Sequence, residues 1–230
     1  MSMHLRREVE KLKKQLLNLS AVVEDSVQKA VKSISERDDR LAKLVIDRDS
    51  EIDQMEVDVE EDCLKILALH QPVAIDLRFI IAVLKINNDL ERIGDLAVNI
   101  AERGVYLANR ERVEVPFDFP KMSALTQSML HRSLDALVNL DPALANAVCA
   151  ADDELDAINR EMYSRVKDGI KKDAGQIDSL INMLAISRQL ERIGDHATNI
   201  AQDVLYMING QIVRHRGAEN HLSSPKETLA

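Results

Sequence analysis

The chain has 230 residues, of which 46% are hydrophobic and 30% charged, and its net charge is −9. This composition is typical of a soluble globular protein rather than a disordered one, and the acidic balance argues against direct nucleic-acid binding, which requires a basic surface. Seven Gly and five Pro are too few for an all-β fold, so helices are expected. No segment approaches the roughly 18 consecutive apolar residues of a membrane span, and no apolar signal core follows the N-terminus. We therefore expect a cytoplasmic protein.

Three long segments of the first half carry apolar residues at every third or fourth position, the spacing of a buried helix face. This spacing predicts one helix from about His4 to Ser35. A second helix, which Asp38 or Asp39 can cap, should end at His70, just before Pro72. A third helix should start after Pro72 and continue to about Asn109. The stretch 113–120, with two prolines and two phenylalanines, is interpreted as a linker.

The second half repeats this plan. A fourth helix is predicted from about Lys121 to Asn139, and Asp141 with Pro142 should begin a fifth. A polar turn at about 171–175 separates it from a sixth helix, which should end near Gly210 because glycine favours the backbone conformation of a helix stop. Residues 214–230 are polar and are predicted to be frayed. Cys63 and Cys149, alone in a chain of this size, do not suggest a disulfide framework.

An internal repeat links the two halves. The segment Leu-Glu-Arg-Ile-Gly-Asp occurs at 90–95 and again at 190–195, and both copies continue into Asn-Ile-Ala. Such self-similarity indicates a duplication. The sequence therefore predicts an all-α protein of two tandem three-helix bundles, at 1–112 and 121–213, related by internal duplication.

The repeat places oxygen-bearing side chains at intervals of four. Each step of four turns only about 40° around a helix, so such side chains share one edge. These residues are Glu91, Asp95 and Asn99 in the first copy and Glu191, Asp195 and Asn199 in the second. They flank the apolar face of the helix instead of forming part of it. A surface or groove site, open to water, is therefore predicted rather than a cage in the centre of the bundle.

Each preceding helix supplies a second acidic pair, Asp49 with Asp53 and Asp152 with Asp156. Residues at equal distance from the turn of an antiparallel hairpin lie side by side. Pro72 lies midway between the two acidic pairs of the first half, and the 171–175 turn lies midway between those of the second. Four carboxylates per half should thus lie level. They would repel one another unless a cation neutralised them, and oxygen ligands suit Mg²⁺, Ca²⁺ or Mn²⁺, with iron or zinc also acceptable.

Simpler interpretations remain open. One acidic motif on a helix is typical of a solvated face with ion pairs between neighbouring turns, and Arg92 and Arg192 could form such pairs or hold an anion. Gly94 and Gly194 suggest close packing against the first and fourth helices, because glycine inside a helix costs about 1 kcal/mol relative to alanine. His196 is a further candidate ligand, although Leu96 stands at the equivalent position.

The run from Pro72 to Ile100, with its second copy at 190–200, resembles the signature of the PhoU family of phosphate-signalling regulators. The resemblance covers nearly the whole chain. It implies two three-helix bundles and negative regulation of the phosphate regulon and of phosphate uptake. The implied partners are the ATPase subunit of the phosphate ABC transporter, a membrane sensor histidine kinase and a second copy of the chain. It also implies metal clusters on the paired acidic motifs, with contact to the membrane only through protein partners.

A dimetal enzyme is the alternative. Carboxylate-bridged dimetal bundles typically carry Glu-x-x-His motifs, yet no histidine here has a glutamate three residues before it. No serine or cysteine triad and no glycine-rich phosphate loop is recognisable. The sequence therefore favours a regulator without catalytic activity.

Overall fold

The computed structural model describes residues 3–111 and 118–210, which form seven α-helices and one short 3-10 turn, without a β-strand in those ranges. The helices are α1 (Met3–Glu36), α2 (Asp39–Asp47), α3 (Asp49–His70), α4 (Ala74–Ala108), α5 (Phe119–Asn139), α6 (Pro142–Lys172) and α7 (Ile177–Asn209), and the 3-10 turn is Ala174–Gln176. The predicted all-α fold is confirmed. The 113–117 part of the predicted linker and the predicted tail at 214–230 lie outside the described residues.

The second predicted helix is in fact two helices, α2 and α3, which meet at Arg48. The surrounding Asp-Arg-Asp-Ser run consists largely of residues whose side chains compete with helical backbone hydrogen bonds. The Arg48 guanidinium lies 2.6 Å from an Asp25 carboxylate oxygen on α1 and 2.8 Å from Glu51 on α3. The pair with Asp25 holds the junction against α1, and the pair with Glu51 links it to the first turn of α3. The periodicity alone did not reveal this break, because the apolar spacing continues across it.

The predicted helix ends agree with the structure more closely elsewhere. The Asp118 carboxylate accepts the backbone N–H of Lys121, so α5 starts at Phe119, two residues before the predicted start. Asp141 caps α6 in the same way, with Pro142 in the first turn. Gly210 ends α7 with a φ of 68°, a left-handed conformation that glycine adopts without strain.

The long helices α4 and α7 form the centre of the molecule. In the first half α1, α2 and α3 pack on α4, and in the second α5 and α6 pack on α7. The two central helices pack on each other in antiparallel fashion, since Lys85 of α4 meets Asp203 of α7 and Arg103 meets Asn182. Buried aliphatic side chains from all seven helices form one continuous core. None of the described helices combines the length and apolarity required to cross a membrane.

Close contacts at two glycines show the register of the α3–α4 and α6–α7 hairpins. A Cβ atom placed on Gly94 would lie 3.2 Å from the Ile52 side chain of α3, and one on Gly194 would lie 2.2 Å from Leu155 of α6. In the sequence, the midpoint between each glycine and its partner lies within two residues of the predicted centre of the turn. The predicted register of both hairpins is therefore confirmed. The predicted partner of Gly94 was wrong, because this glycine faces α3 rather than α1. Gly194 does approach the fourth predicted helix, at Met129 of α5.

Candidate metal centre

The repeated acidic residues lie beside the core, as the helical spacing predicted. On α4 the side chains of Leu90, Ile93 and Ala97 are fully buried, whereas Glu91 and Asp95 are partly exposed. On α7 the equivalent acids, Glu191 and Asp195, are partly exposed and exposed. Water and small ions can therefore reach both groups without crossing the core.

In the second half three carboxylates converge. One oxygen atom each from Asp156, Glu191 and Asp195 lies within 4.8 Å of the other two. Two oxygens bound to one Ca²⁺ or Mg²⁺ ion, each at about 2.0–2.6 Å, lie no more than about 5 Å apart. The three side chains thus suit a hard cation with little rearrangement. Of the described residues, no other His, Cys, Asp and Glu side chains form such a group.

Electrostatic repulsion within this second cluster is visible in its pKa values. Burial raises the pKa of Asp195, and the Asp156 carboxylate raises it further. The pKa of Glu191 is raised by burial and then by Asp195 and Asp156. Asp152 completes the predicted set of four, since burial, Asp195 and Asp156 raise its pKa in turn. Each of these groups would be stabilised by a nearby positive charge.

The equivalent acids of the first half have a different neighbour. The Arg92 guanidinium lies 3.1 Å from an Asp95 oxygen and 3.3 Å from a Glu91 oxygen, so it already neutralises part of this group. Asp49 contributes a buried Oδ1 atom without a hydrogen-bond partner. Burial raises the pKa of Asp49, and the nearby carboxylates of Asp53 and Asp95 raise it further. Asp53 and Asp95 therefore act on Asp49, but the oxygens of the four predicted residues do not converge as those of the second half do.

Sequence reasoning missed Glu56, which lies on α3 one turn beyond Asp53. The pKa of Glu56 is raised by burial and then by Glu60 and Asp53, so this carboxylate extends the first acidic group. The Asn87 amide of α4 donates to the Glu56 carbonyl at 2.9 Å and to its carboxylate at 3.3 Å. The continued spacing of three and four from Asp49 through Asp53 was the signal that could have identified it.

The amide side chains of the motif are already engaged. Asn99 donates to the Asp95 carbonyl at 2.8 Å, and Asn199 donates to an Asp89 oxygen on α4 at 3.3 Å. His196 Nδ1 lies 2.7 Å from the same Asp89 oxygen. His196 and Asn199 therefore join the two halves through Asp89. Metal ligation by the Asn99 and Asn199 oxygens stays a prediction.

Comparison with known proteins identifies relatives across nearly the full chain. The PhoU domain model matches it twice, at residues 16–104 and 119–204. A phosphate-specific transport system accessory protein PhoU homolog of Pseudomonas aeruginosa is 36% identical over 94% of this chain and 90% of its own length. The Aquifex aeolicus homolog of the same name is 34% identical over 93% of this chain and 97% of its own.

Two solved structures share the fold. The crystal structure of PhoU from Pseudomonas aeruginosa superposes with a TM-score of 0.86 at 35% sequence identity, covering 90% of this chain and 99% of that chain. The phosphate transport system regulatory protein PhoU from Streptococcus pneumoniae gives a TM-score of 0.80 at 29% identity, with 91% and 99% coverage. The overall fold is thus common to all three chains.

Proposed function

The chain belongs to the PhoU family, and from that premise we propose that it is a cytoplasmic negative regulator of the phosphate regulon and of phosphate uptake. The observation that carries this proposal is the match of both repeats to the family model, with relatives named as accessory proteins of phosphate-specific transport. A role in the regulation of phosphate transport follows from this membership. The family's members are named as accessory or regulatory proteins and not as enzymes.

The finer role we propose is that of an adaptor. The ATPase subunit of the phosphate ABC transporter and the sensor histidine kinase are the proposed partners, so the chain would reach the membrane through proteins alone. We also propose that the chain forms a homodimer, and light scattering would measure the molar mass that tests this. The exposed acidic groups on α3 and α4 and on α6 and α7 offer contact surfaces whose charge can change without a change of fold.

Metal binding would provide that change. Asp152, Asp156, Glu191 and Asp195 would hold a cation in the second half, and Asp49, Asp53, Glu91 and Asp95 would do so in the first. A bound divalent or iron ion supplies positive charge to a surface that is otherwise acidic. The α3–α4 and α6–α7 hairpins position these carboxylates, and the close helix contacts at Gly94 and Gly194 hold the register of the hairpins. A surface neutralised in this way would no longer repel an acidic partner, as the bare carboxylates do.

Deletion of the gene tests the regulatory role. A reporter for the phosphate-starvation response should stay on in phosphate-replete cells that lack the protein, and the wild-type chain should restore repression. Partner capture from membranes, with and without chelator, should recover the transporter ATPase and the sensor kinase. Normal repression in the deletion strain would overturn the proposal.

A separate variant tests whether the acidic group of the second half takes part in docking. Glu191→Ala with Asp195→Ala should weaken partner capture while helicity, measured by circular dichroism, is unchanged. Glu161→Ala with Asp168→Ala is the matched control, because it removes the same two charges from exposed positions of α6 outside the cluster. Equal capture by both double variants would show that the docking surface lies elsewhere.

A further inference from the structure

The duplication relates contacts across the interface between α4 and α7 as well as within each half. Positions that differ by 100 are equivalent, so each cross-interface contact should have a counterpart. In one copy Lys85 of α4 extends to Asp203 of α7, with Nζ 3.3 Å from the carboxylate and 5.1 Å from the centre of the Tyr206 ring. The Asp203 side chain is only 3% exposed. This ion pair fills its part of the interface.

The equivalent place in the other copy is open. Ala185 stands where Lys85 does, and Arg103 stands where Asp203 does. The short alanine side chain cannot reach across, and a pocket of about 280 Å³ lies there. Its walls carry three aliphatic and four polar side chains. The aliphatic ones are Ile181, Leu184 and Ala185, and the polar ones are Arg103, Arg188, Gln189 and Arg192. The pocket is thus small, partly apolar and bordered by three guanidinium groups.

The charges of this pocket are not neutralised by ion pairs. Arg103 donates from Nη1 to the Asn182 oxygen at 3.2 Å, but its Nε is buried without a partner. Throughout residues 3–111 and 118–210, no acid lies within ion-pair distance of Arg103, Arg188 or Arg192. A buried guanidinium N–H without an acceptor costs free energy. A ligand that supplied acceptor oxygens here would recover it.

Comparison with the other copy shows how the positive character arose. Gln189 replaces Asp89, and Arg188 replaces Asn88. Arg188 attracts the Glu191 carboxylate and Arg192 attracts that of Asp195, although burial and the neighbouring carboxylates still raise the pKa of both acids. Those two acids belong to the carboxylate cluster with Asp156, while the three arginines come together at the pocket. Positive and negative groups are therefore sorted onto neighbouring parts of α7.

We propose that this pocket binds a phosphate group, either as inorganic phosphate or as a small phosphomonoester. Guanidinium groups present planar sets of donors that match the oxygens of a tetrahedral anion, and such charge-assisted bonds are among the strongest in proteins. A volume of about 280 Å³ admits a phosphate with some hydration water, since one water occupies about 30 Å³ in the liquid. The site uses side chains other than those of the neighbouring metal cluster and does not depend on the adaptor role proposed above.

The test uses the full chain in chelator, so that no bound metal can attract phosphate. Calorimetric titration with inorganic phosphate should show one site per chain, and Arg103→Gln should weaken it at least about tenfold, as loss of a charge-assisted hydrogen bond implies. Parallel titration with glycerol phosphate separates the two sources, because the tighter ligand identifies which form the pocket accepts. Absence of binding for both ligands at millimolar concentration would overturn the proposal.

A second variant closes the pocket without relying on the loss of one arginine. Ala185→Lys with Arg103→Asp installs the pair that the other copy carries at 85 and 203, and it should abolish phosphate binding while unfolding stays cooperative. Arg7→Gln, at an exposed position of α1, is the matched control and should bind as the parent does. Retention of parental affinity in the closed variant would place any phosphate elsewhere on the molecule and contradict the assignment.

Discussion

Arg92 and Arg192 occupy equivalent positions of the repeat, but they have different neighbours. Arg92 pairs with Glu91 and Asp95 of its own helix, whereas Arg192 borders the pocket between α4 and α7. As a result the first acidic group is partly neutralised by the protein itself, and the second has converging carboxylates. A duplicated motif thus fixes which groups are present, while the side chains around it decide whether they are available to a ligand.

The largest expected difference between the halves concerns metal affinity. Glu191→Ala with Asp195→Ala should remove ion binding in the second half, a loss of at least about 100-fold or ~2.7 kcal/mol. Glu91→Ala with Asp95→Ala should leave that binding intact and affect only the first half. Elemental analysis of protein equilibrated with Mn²⁺, Fe²⁺ or Mg²⁺ gives the number of ions, and titration gives their affinities. Parental stoichiometry in either double variant would mean that the motif concerned is structural.

The two glycines provide the next comparison. Gly194→Ala should lower the free energy of unfolding by about 1–3 kcal/mol, because the new methyl group overlaps the buried Leu155 side chain. Gly94→Ala meets Ile52 at 3.2 Å, and the gain in helix propensity of about 1 kcal/mol should nearly offset that contact. Denaturant unfolding measures both variants.

A double-mutant cycle isolates the contact. In a Leu155→Ala background the Gly194→Ala substitution should be much less destabilising, since the overlapping atoms are gone. Equal costs in the two backgrounds would show that the helix–helix approach at Gly194 is not what opposes the methyl group.

Removal of the Arg92 charge provides the third comparison between the halves. Arg92→Gln should raise the metal affinity of the first acidic group about two- to fivefold, corresponding to the 0.5–1 kcal/mol of an exposed ion pair. Arg192→Gln should change the second group less, because Arg192 makes no ion pair with Glu191 or Asp195 in the described part of the chain. Competition titrations with a metal-sensitive dye can resolve such differences. A larger effect at Arg192 would reverse the comparison.

The sequence predicted features that depend on repeating patterns within one helix or one hairpin. The all-α fold and the register that places Ile52 against Gly94 both follow from spacing. The break at Arg48 was missed because its ion pair with Asp25 comes from another helix. The pocket was missed for a related reason. Its arginines lie on α4 and α7, and how these helices cross depends on the packing of the whole interface rather than on either local pattern.

The smallest expected effect is a pH dependence of stability. Burial and the Asp156 carboxylate raise the pKa of Asp195 above its ordinary value of 3.8, so the folded protein holds this proton more tightly than the unfolded chain does. In chelator, stability should therefore fall as the pH rises from the ordinary pKa of the unfolded chain to the raised pKa of the folded protein. Asp195→Asn removes the charge and should be the more stable protein at neutral pH, by less than about 1 kcal/mol because the group is solvent-exposed.

A carboxylate with the opposite shift supplies the control for this last prediction. Burial acts to raise the pKa of Asp25, but its hydrogen bonds and ion pairs with Lys29 and Arg48 outweigh burial and lower it. Asp25→Asn should therefore be less stable than the parent at neutral pH, and both differences should shrink toward zero as the solution becomes acidic. Thermal unfolding across the acidic range measures the two variants together. Because metal would neutralise Asp195, added Mn²⁺ should cancel the advantage of Asp195→Asn and leave the Asp25→Asn deficit unchanged. Equal pH profiles for the two variants would show that the second cluster does not carry the repulsion that makes it a cation site.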